Sequence, residues 1–237
     1  MAGINDGAFC RNLSVAGFDM VTLGGYNADF PTIQAGHQIL SRGRPEFVVE
    51  EENLLSYLED QVKLIKEPGW EGLVSINLRA ITPDPLIEIS KIRGVDVVEI
   101  NAHCLQKEIT DLGCGQTMLR DPVLLEEFTR DVTKNSKSRV SVKIRANVPG
   151  ADEVEVAKVI EQSGADYIHI DAMKPGFNSA DYQIISSVKE NTSIFLIGNN
   201  SIKDVKSGLK MLAAGADGIS IARAAMGGSL NFDLSLI

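Results

Sequence analysis

The sequence predicts an α/β protein: a TIM-type (β/α)8 barrel whose first strand is missing or shortened at the N-terminus, forming one domain over residues 1–237. Three observations predict it. The phrases GFDMVTLGG (17–25), GVDVVEINA (94–102), GADYIHIDA (164–172) and GADGISIAR (215–223) each set Gly-x-Asp before a short apolar run. That is a helix closed by a glycine in a left-handed C-cap and followed at once by a buried parallel strand. Three further apolar runs, GLVSINLRA (72–80), RVSVKIRAN (139–147) and SIFLIGNNS (193–201), lie between these units, each after a helix-like segment. Strand and helix alternate throughout, and no Pro-, Gly- or Ser-rich linker divides the chain.

Taken in order, MAGINDGAFCRNLSVAG reads as a polar loop and then a helix from about Gly7 to Ala16. A loop-helix start implies that the strand feeding it lies before Met1, so seven strands are read where a barrel has eight. Without that strand two sheet edges are exposed, to be covered by a longer gene product or by a partner chain, a homo-oligomer included. His37 reads as solvated surface in a loop beside Arg42 and Arg44. Asn53 to Ile65 places Leu54, Leu58, Val62 and Ile65 at helical spacing, with Pro68-Gly69 as the stop. Asp121-Pro122 is an N-cap followed by a first-turn proline, with Leu124, Leu125, Phe128 and Val132 along one face. Ser201 and Asp204 resemble a capping box, which predicts a helix starting at Ser201.

Composition restricts the function. The chain is 44% hydrophobic and 23% charged, and it has neither an apolar run of the ~20 residues a membrane helix needs nor a signal sequence after Met1. A cytoplasmic protein without a membrane partner is expected. Cys10, Cys104 and Cys114 are too far apart for a CxxC pair, so neither a disulfide framework nor a metal site is indicated. A net charge of −9 repels nucleic acid on average, so RNA would need a local basic surface.

Side chains on a strand alternate between its faces, and their parity separates barrel interior from exterior. Val74, Ile76 and Leu78 share one face, Ser75 and Asn77 the other; Val98 and Ile100 oppose Glu99 and Asn101. Val140, Val142 and Ile144 oppose Ser141, Lys143 and Arg145, and Ile168 and Ile170 oppose Tyr167, His169 and Asp171. The apolar face packs on helices, so the polar face looks inward. Asn77, Asn101, Lys143, Arg145, His169 and Asp171 then converge near the strand ends where barrels of this type keep their active sites. The alternative is a structural ion network, such as Glu99 with Lys143 or Arg145.

Five segments resemble a known family. MAGINDGAF is similar to the "PMAGVTDxxF" opening of tRNA-dihydrouridine synthases, and INAHCLQKEITDLGCGQTMLRDP to their "NxGCPxxxV…GxGxxLLxDP". VSVKIRA resembles "vtvKiR", LIGNNSI "IGNGDI", and GADGISIARAAMG "GaDgvMiGRgalg". The likeness covers nearly the whole chain and extends to dihydroorotate dehydrogenases, which are also barrels binding flavin mononucleotide (FMN). It implies an FMN-dependent oxidoreductase acting on the C5–C6 bond of a pyrimidine, with NAD(P)H as a possible electron donor. It also implies Cys104 as the acid that protonates C5 and Lys143 as the cation beside the flavin. Met1, Ala2, Gly3, Asn77, Asn101, Lys143 and Asp171 then contact the cofactor, its phosphate lying against Gly198, Asn199, Asn200, Ala222 and Arg223. Asn101, His103, Arg145 and Lys174 remain for the substrate.

Departures from the family pattern shape the expectation further. His103 and Leu105 flank Cys104 where Gly and Pro are usual, Asp171 stands near the place of a histidine, and Asn200-Ser201 and Ala222 replace glycine-bearing positions. Cys114 reads as packing, and Cys10 receives no role. The synthases continue into a helical domain that grips tRNA; with the chain ending at Ile237 and a charge of −9, a small pyrimidine-like substrate is expected ahead of tRNA. Two other classes stay open. One is a non-redox barrel acting on a phosphorylated metabolite, with Lys143 and Asp171 as acid and base; the other is a non-catalytic flavin or nucleotide binder.

Overall fold

The computed structural model describes residues 3–67 and 69–237. The chain runs α1 (Gly7–Ser14), β1 (Met20–Asn27), α2 (Phe30–Ser41), α3 (Glu51–Lys66), β2 (Leu73–Arg79), α4 (Asp84–Ile89), β3 (Val97–Ala102) and α5 (Lys107–Thr110). A 3-10 turn over Gly115–Arg120 leads into α6 (Pro122–Asn135), β4 (Arg139–Arg145), α7 (Glu153–Gln162), β5 (Tyr167–Asp171), α8 (Tyr182–Asn191), β6 (Phe195–Asn199), α9 (Val205–Ala213) and β7 (Gly218–Ser220). The seven strands form one parallel sheet in sequential order. Among the described residues β1 pairs with β2 and β7 with β6, and no ladder joins β1 to β7. All seven predicted strands are present, and the curled sheet stays open where an eighth would close it. None of the helices described is long and apolar enough to cross a membrane.

The Gly-x-Asp repeat explains how the strands start. Gly17, Gly94, Gly164 and Gly215 all have positive φ, as a left-handed C-cap requires. The aspartate two residues on joins its strand to the preceding one. Asp96, Asp166 and Asp217 each donate their N–H to a carbonyl of that strand, at Val74, Val140 and Leu196. Each then accepts that same residue's amide on its carboxylate, at 2.8 Å in all three cases. The core lies between sheet and helices: Val74, Ile76, Val98, Ile100, Val142, Ile144, Ile168 and Ile170 are all 1% exposed or less.

Two local readings are corrected. His37 lies in α2, not in a loop, and pairs at the surface with Glu50 at 2.9 Å. Asp29 caps that helix, with Thr32 completing the capping box, so short-range signals for it were present. The last long helix begins at Val205, not Ser201: its cap is Asp204, answered by Ser207 at N3. Ser201 instead has φ 53 and follows Asn200 at φ 105, a left-handed pair incompatible with a helical first turn.

Candidate active site

Odd-numbered residues of β2 to β5 face a common cavity, as their parity predicts, and Asn199 of β6 joins them. The cavity has a volume of about 1740 Å³, and Asn77, Glu99, Asn101, Lys143, Arg145, His169, Asp171 and Asn199 all line it. On the gap side the wall is apolar, built from Phe18, Met20, Phe195, Ile219, Leu234 and Ile237.

Near its middle Glu99 is 1% exposed and accepts from Asn77 Nδ2 (2.7 Å), Ser141 Oγ (3.0 Å) and His169 Nδ1 (2.8 Å). Burial alone would raise its carboxyl, but the His169 bond, Lys143 and Asn77 more than offset this and hold it below the ordinary range. Burial, and then the Lys143 charge, lower His169, which stays neutral and donates to Glu99. The network expected around Glu99 therefore forms through His169, Asn77 and Ser141, without an ion pair to Arg145 or Lys143. Among the described residues the Lys143 ammonium has no hydrogen-bond partner, and it lines the cavity.

From Asn77 the chain of bonds continues upward. Asn77 Oδ1 accepts from Asn101 Nδ2 at 2.7 Å, and Asn101 Oδ1 accepts the amides of His103 (3.1 Å) and Cys104 (2.9 Å). Asn101 thus shapes the turn that carries Cys104, whose half-buried thiol borders the cavity. Gly25 meets these asparagines from β1, where a Cβ would lie 2.5 Å from Asn77 Oδ1.

At the rim Asp171 accepts from His103 Nε2 (2.7 Å), Asn200 Nδ2 (2.6 Å) and Arg145 Nη1 (3.4 Å). Burial would raise this carboxyl, but His103, Asn200 and Arg145 hold it well below the usual range. Burial lowers His103, which donates as a neutral ring. The carboxylate that breaks the family pattern is thereby hydrogen-bonded by the histidine that replaces a glycine beside Cys104, and Arg145 supplies its counter-charge. Asn200 supplies the left-handed backbone for which glycine is usual. Lys174 pairs with Asp181 at 3.9 Å and lies over the Phe177 ring; Lys174, Ala222 and the exposed Arg223 all line the cavity.

Two expected contacts are not on the cavity wall. Gly198 faces α9, where a Cβ would meet Met211 at 2.5 Å, and Gly3 packs on Pro45 and Glu46. Met1 and Ala2 lie outside the described residues. Cys114 is buried and donates to the Ala80 carbonyl at 3.1 Å, consistent with packing. Sequence reasoning overlooked Arg79 and Glu46, a buried pair behind Cys104. Arg79 shares the parity of Asn77 and was legible on that ground; Glu46 sits in a loop with no periodicity to reveal it.

Residues 45–232 match the family model described as dihydrouridine synthase. An uncharacterized protein of Methanocaldococcus jannaschii is 35% identical over 238 residues, 98% of this chain and 89% of that protein. The tRNA-dihydrouridine synthase B of Proteus vulgaris is 32% identical over 66% of this chain and 51% of its own length. A probable tRNA-dihydrouridine synthase 1 of Synechocystis is 30% identical over 66% of this chain and 47% of its own. This chain thus spans about half the length of the named synthases it matches. Among solved structures, FabK of Thermotoga maritima aligns with 92% of this chain and 54% of its own at a TM-score of 0.56 and 15% identity. Thiamine phosphate pyrophosphorylase of Pyrococcus furiosus aligns with 93% of this chain and 81% of its own at 0.56 and 13%. These two likenesses speak to the fold, and the match over residues 45–232 carries the assignment: the chain belongs to the dihydrouridine synthase family.

Proposed function

We propose that this chain is an FMN-dependent oxidoreductase that reduces the C5–C6 double bond of a uracil ring, with Cys104 delivering the proton to C5. The observation that supports it most is that Lys143 and Cys104 line one cavity, with the Asn101 side chain fixing the Cys104 amide at 2.9 Å.

The residues present suit FMN. A cavity of about 1740 Å³ holds a flavin together with a uracil ring, and an unpartnered ammonium at Lys143 is the counter-charge that a reduced flavin needs. Gly25 lets β1 pack directly against Asn77 and Asn101, where a Cβ would lie 2.5 Å from Asn77 Oδ1. Asn199, Asn200, Ala222 and Arg223 form the rim on which a phosphate would lie. When bound, FMN supplies the hydride for C6, and NAD(P)H is the class of donor that replenishes it.

The chain's own residues do the rest. Asn101 holds the turn so that the Cys104 thiol faces the ring. Asp171, hydrogen-bonded by His103 and paired with Arg145, stiffens the rim. Lys174, Arg223 and Arg44 give the cavity mouth a cationic edge in a chain of net charge −9, which favours a phosphate-bearing uracil compound. The names of the relatives point to uridine in tRNA, and the overall charge points to a free nucleotide.

Titration of the purified chain with FMN, followed by visible absorbance, tests the cofactor. Anaerobic reduction with NADPH and then addition of unmodified tRNA, UMP or dihydroorotate tests the reaction and its carrier. A yellow complex reoxidised by one uracil compound is expected; a chain that binds no FMN overturns the reading.

A further inference from the structure

We infer that Arg79, held by Glu46, is a positioning residue for Cys104: it fixes the thiol at the cavity wall and carries the negative charge left on sulfur when the proton departs. This rests on the reading of Cys104 as proton donor.

Arg79 ends β2, faces the cavity side and is 3% exposed. Its guanidinium grips the Glu46 carboxylate with two prongs, Nη2 to Oε1 at 2.6 Å and Nη1 to Oε2 at 3.1 Å, and Nη2 also donates to the Gly25 carbonyl at 2.8 Å. Nη1 reaches Cys104 Sγ at 3.7 Å, a long but sulfur-compatible donor distance. Burial opposes the arginine's charge, and Glu46 more than offsets it, so the cation is held above the ordinary arginine range. The Cys104 backbone is fixed at both ends: its amide donates to Asn101 and its carbonyl accepts from Gln116 at 2.9 Å.

A buried arginine–carboxylate pair contributes little net stability compared with an apolar pair of the same size. Its placement against the thiol gives it a chemical use. In the proposed reaction the S–H bond of Cys104 breaks, the proton forms the new C–H bond at C5, and the electron pair stays on sulfur. The hydride for C6 would be supplied by reduced FMN, which would be oxidised as the ring is reduced. The thiolate so formed lies beside Nη1.

Cys114 is electrostatically coupled to this thiol, Glu46 lies behind Arg79, and the other charged or titratable groups on the cavity lining include His103 with Asp171, Arg44, and Lys143 and Arg145 of β4. Cys10 and Cys114 are buried and pushed up to about 12, so neither competes with the half-buried Cys104 for alkylation.

Iodoacetamide labelling of the full chain, without flavin or substrate, is followed by mass spectrometry from about pH 6 to pH 10, the range around an ordinary thiol, with circular dichroism checking the fold. Arg79→Met moves the half-labelling pH of Cys104 upward by about one unit, and Arg79→Lys restores most of it. Glu46→Gln, which removes the carboxylate opposing the thiolate, moves it downward. An unchanged profile in folded Arg79→Met overturns the inference. Should that variant fail to fold, an unchanged or upward profile in Glu46→Gln overturns it instead. Neither result touches the reading of Cys104 as donor, which is lost only if Cys104→Ala turns over normally.

Discussion

Asn101 illustrates how one side chain sets a site. Its carbonyl oxygen takes two consecutive amides of the turn, and its amide nitrogen ties that turn to Asn77 and through it to Glu99. Asn101→Ala leaves two amides short of a partner and costs about 1–3 kcal/mol, measurable by urea denaturation. Cys104→Ala removes only the proposed acid, so turnover is expected to fall by about 10²–10⁴-fold while FMN titrates as before; equal turnover in the variant removes the acid assignment. Asp171 contributes to acid sensitivity. Its carboxyl titrates lower in the fold than in the unfolded chain, so its contribution is complete above the unfolded value near 4 and is lost as pH falls toward the folded value. Asp171→Asn therefore flattens the decline of stability below about pH 4; parallel declines for variant and parent in urea melts would show that Asp171 contributes nothing there.

At the scale of elements, the Gly-x-Asp phrase is a strand-starting device with no chemistry of its own. The glycine ends a helix, and the aspartate joins the new strand to the preceding one through both its amide and its carboxylate. Asp166→Ala strips the acceptor from the Val140 amide and lowers stability by about 1–3 kcal/mol, with no change in FMN affinity, because the aspartate sits at the opposite end of the strands from the cavity rim. The helix after β6 shows where local reasoning erred. Ser201 and Asp204 have the spacing of a capping box, yet the left-handed pair Asn200-Ser201 turns the chain once more before Asp204 caps. That extra turn lets Asn200 reach Asp171 across the rim, a contact between β5 and the loop after β6 that no local pattern records.

For the whole molecule, the open seam between β1 and β7 is the feature with most consequence. β7 has three residues, all partly exposed, whereas β3, β4 and β5 are flanked by strands on both sides. Amide hydrogen exchange is therefore fastest in Gly218–Ser220 and slowest in Val98–Ile100, Val140–Ile144 and Ile168–Ile170. Uniform protection across the seven strands would mean that the seam is covered in solution. With the proposed FMN site on the rim formed by Asn199, Asn200, Ala222 and Arg223, added FMN is expected to slow exchange around β7.

Strand number, strand order and the inward parity of Asn77, Asn101, Lys143, Arg145, His169 and Asp171 were all legible in the sequence. Each follows from short-range rules: a period of two along a strand, a glycine that ends a helix, and parallel strands laid down in order. The partners of those residues were not. Glu99 bonds His169 from 70 positions away, His103 bonds Asp171 from 68, and Arg79 bonds Glu46 from 33. Pairings of that kind depend on which strand ends the sheet's curl brings together, and on which charges burial forces to find a partner. The tertiary structure alone decided them.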